Sequence, residues 1–332
     1  MSEKISICVA GGGSWGTALG HLLARGGHHV CLWMRNASVA TAINERHENP
    51  RYLSGLPLDE RLVATTDPAA LDRPLVVLAV PCQQLRGWLT EHAWHFQPRA
   101  ILVNAAKGIE TGSLATCAEM TEQTLAHLNP RYAVLSGPSF AADVLRDLPT
   151  AVVMAAYDEA LGCYLRDIFS GPAFRCYSST DVTGVEMGGA LKNVMAIAAG
   201  TCDGLGLGAN SRAALITRGL AEMSRLGVAR GAQAHTFMGL SGLGDLTLTC
   251  TDDLSRNRQV GLRLGRGEKL DHITQSLGMV AEGVKTTAAI YDMAQKLGVD
   301  APLTNAVHSI LYEGQSPHAA LRDLMARTLR EE

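Results

Sequence analysis

Along the first 180 positions, short apolar runs alternate with stretches whose apolar residues recur at helical spacing. The runs Ile5–Ala10, Val30–Trp33, Leu75–Val80, Ile101–Ala105 and Ala133–Ser136 are candidate strands. Two more, Ala151–Ala155 and Phe174–Tyr177, flank a helical pattern at Ala160–Phe169. The runs are continuous instead of alternating, as strands covered by helices on both faces require. The rhythm is that of βαβ units and a parallel sheet. After about Ser178 it changes. From Val182 onward only helical spacing broken by Gly or Pro is found, including Gly188–Ala199, Thr304–Tyr312 and Ala319–Leu329. The pattern predicts an α/β N-terminal domain with a mostly parallel, doubly wound sheet over residues 1–180. An all-α C-terminal domain follows over 181–332.

Composition supports two buried cores and narrows the partners. The chain has 332 residues, too many for one ordinary core, and 47% are hydrophobic, which excludes extended disorder. Its net charge of −3 gives no field for a nucleic-acid backbone, so an anionic ligand must be held by a few local donors. The eight cysteines are scattered without a CxxC pair and the histidines form no HExxH. They read as packing residues in a reducing compartment, with no metal site expected. The N-terminal apolar run is too short for a signal peptide and no stretch reaches membrane-spanning length, so the expected location is the cytoplasm.

Gly11, Gly13 and Gly16 fit G-x-G-x-x-G, directly after a strand and opening a helix. In a Rossmann-like domain the first glycine makes the turn, the second admits a pyrophosphate and the third lets helix pack on strand. Backbone N–H groups near Ser14 and Trp15 would face the phosphates at the helix N-terminus. NAD enzymes usually place an acid after the second strand. Here Met34-Arg35-Asn36 stands instead, and Arg35 could pair with a 2′-phosphate, which favours NADP slightly over NAD. A solvated charge at a strand end is the plainer reading of Arg35.

Four further segments are expected to line one crevice. Lys107, in Asn104–Glu110, follows a strand at the carboxyl edge where open α/β sheets bind ligands. Ser136-Gly137-Pro138-Ser139-Phe140-Ala141 also ends a strand, although turn chemistry alone explains it equally well. In Gly188–Ile197, Lys192 lies inside an otherwise apolar helix. Burying an ammonium is costly and a lowered pKa is the usual escape, so Lys192 is a candidate proton donor to the alkoxide formed by hydride addition. Snorkelling to water is the alternative. Asp245, in a glycine-rich bend, could orient Lys192, bind a substrate hydroxyl or cap a helix. Ser255, Arg256 and Asn257 resemble a first helical turn, where N–H groups and a guanidinium make a phosphate pocket. Val280 and Glu282 lie in a segment that means nothing by itself.

Taken together, the stretches GGGSWGTAL, NAAKGIE, SGPSFA, GVEMGGALKNVMAIAAGTCDGLGLGANSRAALITRGLAEM, GLSGLGDLTLTCTDDLSRNR and VAEGV resemble the bacterial NAD(P)-dependent glycerol-3-phosphate dehydrogenase family over nearly the whole chain. The resemblance implies reversible reduction of dihydroxyacetone phosphate to sn-glycerol 3-phosphate, the head-group precursor of phospholipids. It implies cofactor contacts from Ser14, Trp15, Arg35, Lys107, Ala141, Arg256, Val280 and Glu282. Lys107, Gly137, Ser139, Asp245, Ser255, Arg256 and Asn257 would line the substrate, and Lys192 would be both proton donor and substrate ligand. The chain departs from the family pattern at Gly12, where alanine is usual, and at Asp143, where glutamate is common.

Two rival readings remain. A β-hydroxyacid or 6-phosphogluconate-type dehydrogenase would carry Asn four residues after the lysine. That position is Ala196, and Asn193 follows the lysine directly. A dinucleotide-sensing regulator would keep the glycines with no reason to keep Lys107, Lys192, Asp245 and Arg256. The expected partners are a small phosphorylated molecule and a second copy of the chain in a homodimer, with no nucleic acid and no membrane insertion.

Overall fold

The computed structural model describes residues 4–277 and 281–328. The chain divides into two compact units, 1–107 with 115–185 and 108–114 with 186–332.

The first unit is built on eight strands: β1 Ser6–Ala10, β2 His29–Trp33, β3 Val63–Thr65, β4 Leu75–Leu78, β5 Ile101–Asn104, β6 Arg131–Ser136, β7 Thr150–Ala156 and β8 Phe174–Ser179. Their order in the sheet is β3-β2-β1-β4-β5-β6-β7-β8. Every neighbouring pair is parallel except β6 and β7, where Ala133 faces Ala156 across an antiparallel ladder. Helices α1 Ser14–Arg25, α2 Ala37–Arg46, α3 Cys82–His92, α4 Cys117–Leu125, α5 Ala141–Leu145 and α6 Glu159–Phe169 cover it. Two apolar clusters flank the sheet. One joins Ile7, Val9 and Leu32 to Leu19 and Leu165, and the other joins Cys8, Val76 and Leu78 to Leu85 and Met120. That two-sided burial is why β1 and β4 read as unbroken apolar runs. All expected strands are present. The additional strand, β3, is three residues long and carries no apolar run.

The second unit is helical: α7 Val182–Gly204 enters it, followed by α8 Gly208–Ala229, α9 Asp245–Thr251, α10 Arg256–Gly265, α11 Leu270–Leu277, α12 Glu282–Leu297, α13 Pro302–Tyr312 and α14 Pro317–Met325. The last expected helix ends at Met325, and Leu329 lies outside the described residues. Between α8 and α9 a single π turn spans Leu240–Gly244. Among the described residues no helix is long and apolar enough to cross a membrane.

Two close approaches position the second unit's polar groups. The helices α7 and α10 cross at four glycines. A Cβ on Gly200 or Gly204 would lie 2.0 Å from Arg258 O or 2.3 Å from Leu262 O, and one on Gly261 or Gly265 would lie 2.0 Å from Ile197 O or 2.5 Å from Thr201 O. The backbones therefore touch. One turn before Lys192, Gly188 admits the π turn equally closely, its Cβ position falling 2.5 Å from Ser241 O.

Candidate active site

In the first unit, the loop after β1 has the shape a pyrophosphate needs. Gly11 holds φ +127°, and a Cβ there would stand 2.5 Å from the Ala79 carbonyl. At Gly16 a Cβ would collide with Gly11 O at 1.9 Å, so only glycine lets α1 start this close to β1. At Gly13, the N-cap of α1, a Cβ would meet nothing within 4 Å. Two of the glycines are thus required by the protein's own packing, and the third leaves open space beside the helix N-terminus. Trp15 adds an indole Nε1 that is buried with no acceptor among the described residues. The open space at Gly13, a positive helix end and an orphaned donor all fit a bound dinucleotide.

Arg35 is exposed one residue before Asn36, whose side chain caps α2 by accepting from Val39 N–H. Gly12 packs against the residue before that arginine: a Cβ at Gly12 would lie 2.7 Å from both Cβ and Cε of Met34. The absence of the usual alanine is thereby matched to a buried methionine.

Lys107, Gly137 and Ser139 meet in the same unit. Lys107 Nζ donates to Gly137 O at 3.1 Å and the Ser139 hydroxyl donates to the same oxygen at 3.0 Å. Gly137 has φ +134° and a Cβ position 2.9 Å from Val152 Cα on β7, so this turn also depends on glycine. Ala141 is the first residue of α5, with Phe140 as N-cap.

In the second unit, Lys192 sits on α7 with only 8% of its surface exposed. Its ammonium donates to Asp245 Oδ1 at 2.6 Å and to the Thr249 hydroxyl at 2.8 Å. The sequence reading expected burial to be relieved by loss of the charge. The structure places the Asp245 carboxylate beside the amine, the residue that the sequence offered as able to orient it, and this contact holds the amine in a fixed direction. Asp245 is not a helix N-cap: it follows the π turn as the first residue of α9, whose N-cap is Gly244. Thr249 lies one turn later and donates to Asp245 O at 2.6 Å. Its part was missed, although Asp and Thr four apart on a helix share a face. Behind this cluster, burial raises the Cys250 thiol to about 12, so it packs as a neutral group.

The residues Ser255, Arg256 and Asn257 open α10 as expected. Ser255 is the N-cap, accepting from Arg258 N–H at 3.2 Å, and Arg256 is exposed at the first helical position. Asn257 is committed on both sides: its Nδ2 donates to Asn193 Oδ1 at 2.9 Å, and its Oδ1 accepts Gly283 N–H at 3.0 Å. It ties the residue after Lys192 to the start of α12, where Glu282 is the first residue. A Cβ at Gly283 would lie 2.6 Å from Asn257 Oδ1, so the tie requires glycine. Sequence reasoning placed Asn257 on a substrate and did not see this bridge. Val280 lies outside the described residues.

The profile for the NAD-dependent glycerol-3-phosphate dehydrogenase N-terminus matches residues 6–162, and that for the C-terminus matches residues 181–322. A glycerol-3-phosphate dehydrogenase (NAD(P)+) of Desulfovibrio desulfuricans is 83% identical over 332 residues, covering 100% of each chain. One of Nitratidesulfovibrio vulgaris, strain Hildenborough, is 59% identical over 330 residues, covering 99% of this chain and all of the other. The crystal structure of glycerol-3-phosphate dehydrogenase from Coxiella burnetii superposes with a TM-score of 0.91 at 39% identity, covering 98% of this chain and 99% of that one.

Proposed function

The chain belongs to the NAD-dependent glycerol-3-phosphate dehydrogenase family, and on that premise we propose that it interconverts dihydroxyacetone phosphate and sn-glycerol 3-phosphate with NAD or NADP. The observation that carries the chemistry is the buried Lys192 ammonium, fixed by Asp245 and Thr249.

When bound, the reduced nicotinamide supplies a hydride. Lys192 donates a proton to the carbonyl oxygen as it becomes an alkoxide, and takes that proton back in the oxidising direction. Asp245 stabilises the ammonium before the transfer and Thr249 limits its rotation. The exposed Arg256 and the N-terminus of α10 hold the substrate phosphate, while Lys107, Gly137 and Ser139 contact the rest of it. In the first unit Ser14, Trp15 and Ala141 are assigned to the cofactor and Arg35 to a 2′-phosphate, and in the second unit Glu282 is assigned to the cofactor. With Asn257 fastened between Asn193 and Gly283, we assign its main part to holding α10 in place and leave one amide hydrogen for substrate. The product serves as phospholipid head-group precursor in the cytoplasm, and the chain acts as a homodimer. Sedimentation showing monomer alone would remove that last statement.

The deciding assay follows loss of reduced-nicotinamide absorbance with dihydroxyacetone phosphate, with NADPH and NADH in parallel. Oxidation is expected with the phosphorylated ketone and not with dihydroxyacetone. Equal rates with both ketones would remove the phosphate role of Arg256. No oxidation from folded protein that binds dinucleotide would sink the substrate assignment.

A further inference from the structure

The glycine loop is braced from behind by a side chain that no motif marks. Asn49 lies between α2 and β3, two residues past His47, whose left-handed backbone (φ 50°) ends α2. It is fully buried. Its Nδ2 donates to Gly12 O at 3.1 Å and to the Thr17 hydroxyl at 2.9 Å, and its Oδ1 accepts Tyr52 N–H at 3.3 Å. Both amide hydrogens are therefore spent on the loop and on the first turn of α1. A longer contact from the Ser14 hydroxyl to Tyr52 O, 3.4 Å, joins the same two segments.

What this does to the loop follows from peptide geometry. A trans peptide is planar, so its C=O and N–H point in opposite directions. Holding Gly12 O against Asn49 turns the N–H of Gly13, which belongs to the same peptide unit, away from Asn49. That N–H has no acceptor among the described residues. Three successive glycines would otherwise leave this peptide free to rotate between several allowed conformations. Thr17 N–H bonds to Gly13 O at 2.9 Å, so Asn49 fixes one side of Gly13 while α1 fixes the other.

We infer that Asn49 is a positioning residue for the cofactor: it sets the plane of the 12–13 peptide so that Gly13 N–H is presented to the pyrophosphate before binding. The inference rests on the dinucleotide reading given above. Only a carboxamide supplies two donors and an acceptor in this shape. Asn49→Asp keeps the shape and loses both donors, and Asn49→Ala removes the contact without adding charge.

Calorimetric titration of NADH and NADPH into wild type and both variants tests it, with circular dichroism to confirm folding. Loss of the preset peptide should raise Kd for both dinucleotides about tenfold or more. The number of sites, the kcat at saturating cofactor and the KM for the phosphorylated ketone should stay unchanged. Lowered thermal stability with unchanged Kd in either folded variant would show that Asn49 serves the fold alone, overturning the inference. A wild-type protein that binds neither dinucleotide would overturn the cofactor reading and the inference with it. That outcome is distinct from tight wild-type binding that the substitutions leave untouched.

Discussion

The two units build their sites from opposite materials. In the first, backbone does the work. Gly11 and Gly16 are required by contacts of 2.5 and 1.9 Å, Gly13 leaves a gap, and the charged side chain at the loop's edge, Arg35, is exposed. In the second, buried charge does it: Lys192, at 8% exposure, meets Asp245 at 1%. A backbone site holds its ligand by shape and dipoles and costs little without it. A buried ion pair is stabilising only while both partners stay.

The largest separation of the two regions should come from Lys192→Ala. Loss of a general acid lowers kcat by about 10²–10⁴-fold, while calorimetry should find dinucleotide affinity unchanged. Near-normal turnover would remove Lys192 from the chemistry. Next is Asp245→Ala, which strands a buried ammonium and should cost about 3–5 kcal/mol in urea unfolding. The double variant Lys192→Met/Asp245→Leu should recover much of that stability without activity, and failure to recover it would mean that Asp245 matters for another reason.

The glycines give a sharper contrast of moderate size. Gly13→Ala should weaken dinucleotide binding yet cost at most about 1 kcal/mol, the difference between Gly and Ala at an N-cap. Gly16→Ala should lower both binding and stability, because its Cβ meets Gly11 O. Unchanged dinucleotide affinity in Gly13→Ala would mean that the space beside Gly13 is not the cofactor's.

The smallest effects are in pH dependence, and they have opposite signs. Burial, then the Arg25 charge, holds His21 below its usual 6.5. Its contribution is present above pH 6.5 and lost as pH falls through the folded value. In the second unit burial raises Glu222 above its usual 4.5, although its carboxylate accepts Leu303 and Thr304 N–H groups and the Thr304 hydroxyl at the start of α13. Its contribution is present below pH 4.5 and lost as pH rises through the folded value. His21→Gln and Glu222→Gln should each flatten one of these slopes in unfolding measured against pH. Parallel curves for variant and wild type would refute the assignment.

The same contrast decides what the sequence shows. The strands were legible because helices cover both faces, and β3 was not because three residues cannot form a pattern. The glycine loop was legible because steric demands recur at fixed spacing. Lys192 was legible as a charge in an apolar helix, and Asp245 as a residue that could orient it. Thr249 was not, because it reaches Lys192 from 57 residues away and nothing local encodes that meeting. Asn49, Asn193 and the bridging part of Asn257 were missed for the same reason: buried carboxamides look like ordinary polar residues until their partners are in view. Where the family resemblance supplied roles, it supplied residues expected to touch ligands and passed over those that brace them.

The glycine crossing of α7 and α10 has an evolutionary consequence. Because backbone touches backbone there, the distance between Lys192 and the head of α10 has no rotamer through which it can drift. A lineage seeking a bulkier substrate cannot obtain room by trimming a side chain at this crossing, since there is none to trim. Room would have to come from segments away from the crossing, which leaves the spacing of α7 and α10 as a fixed ruler.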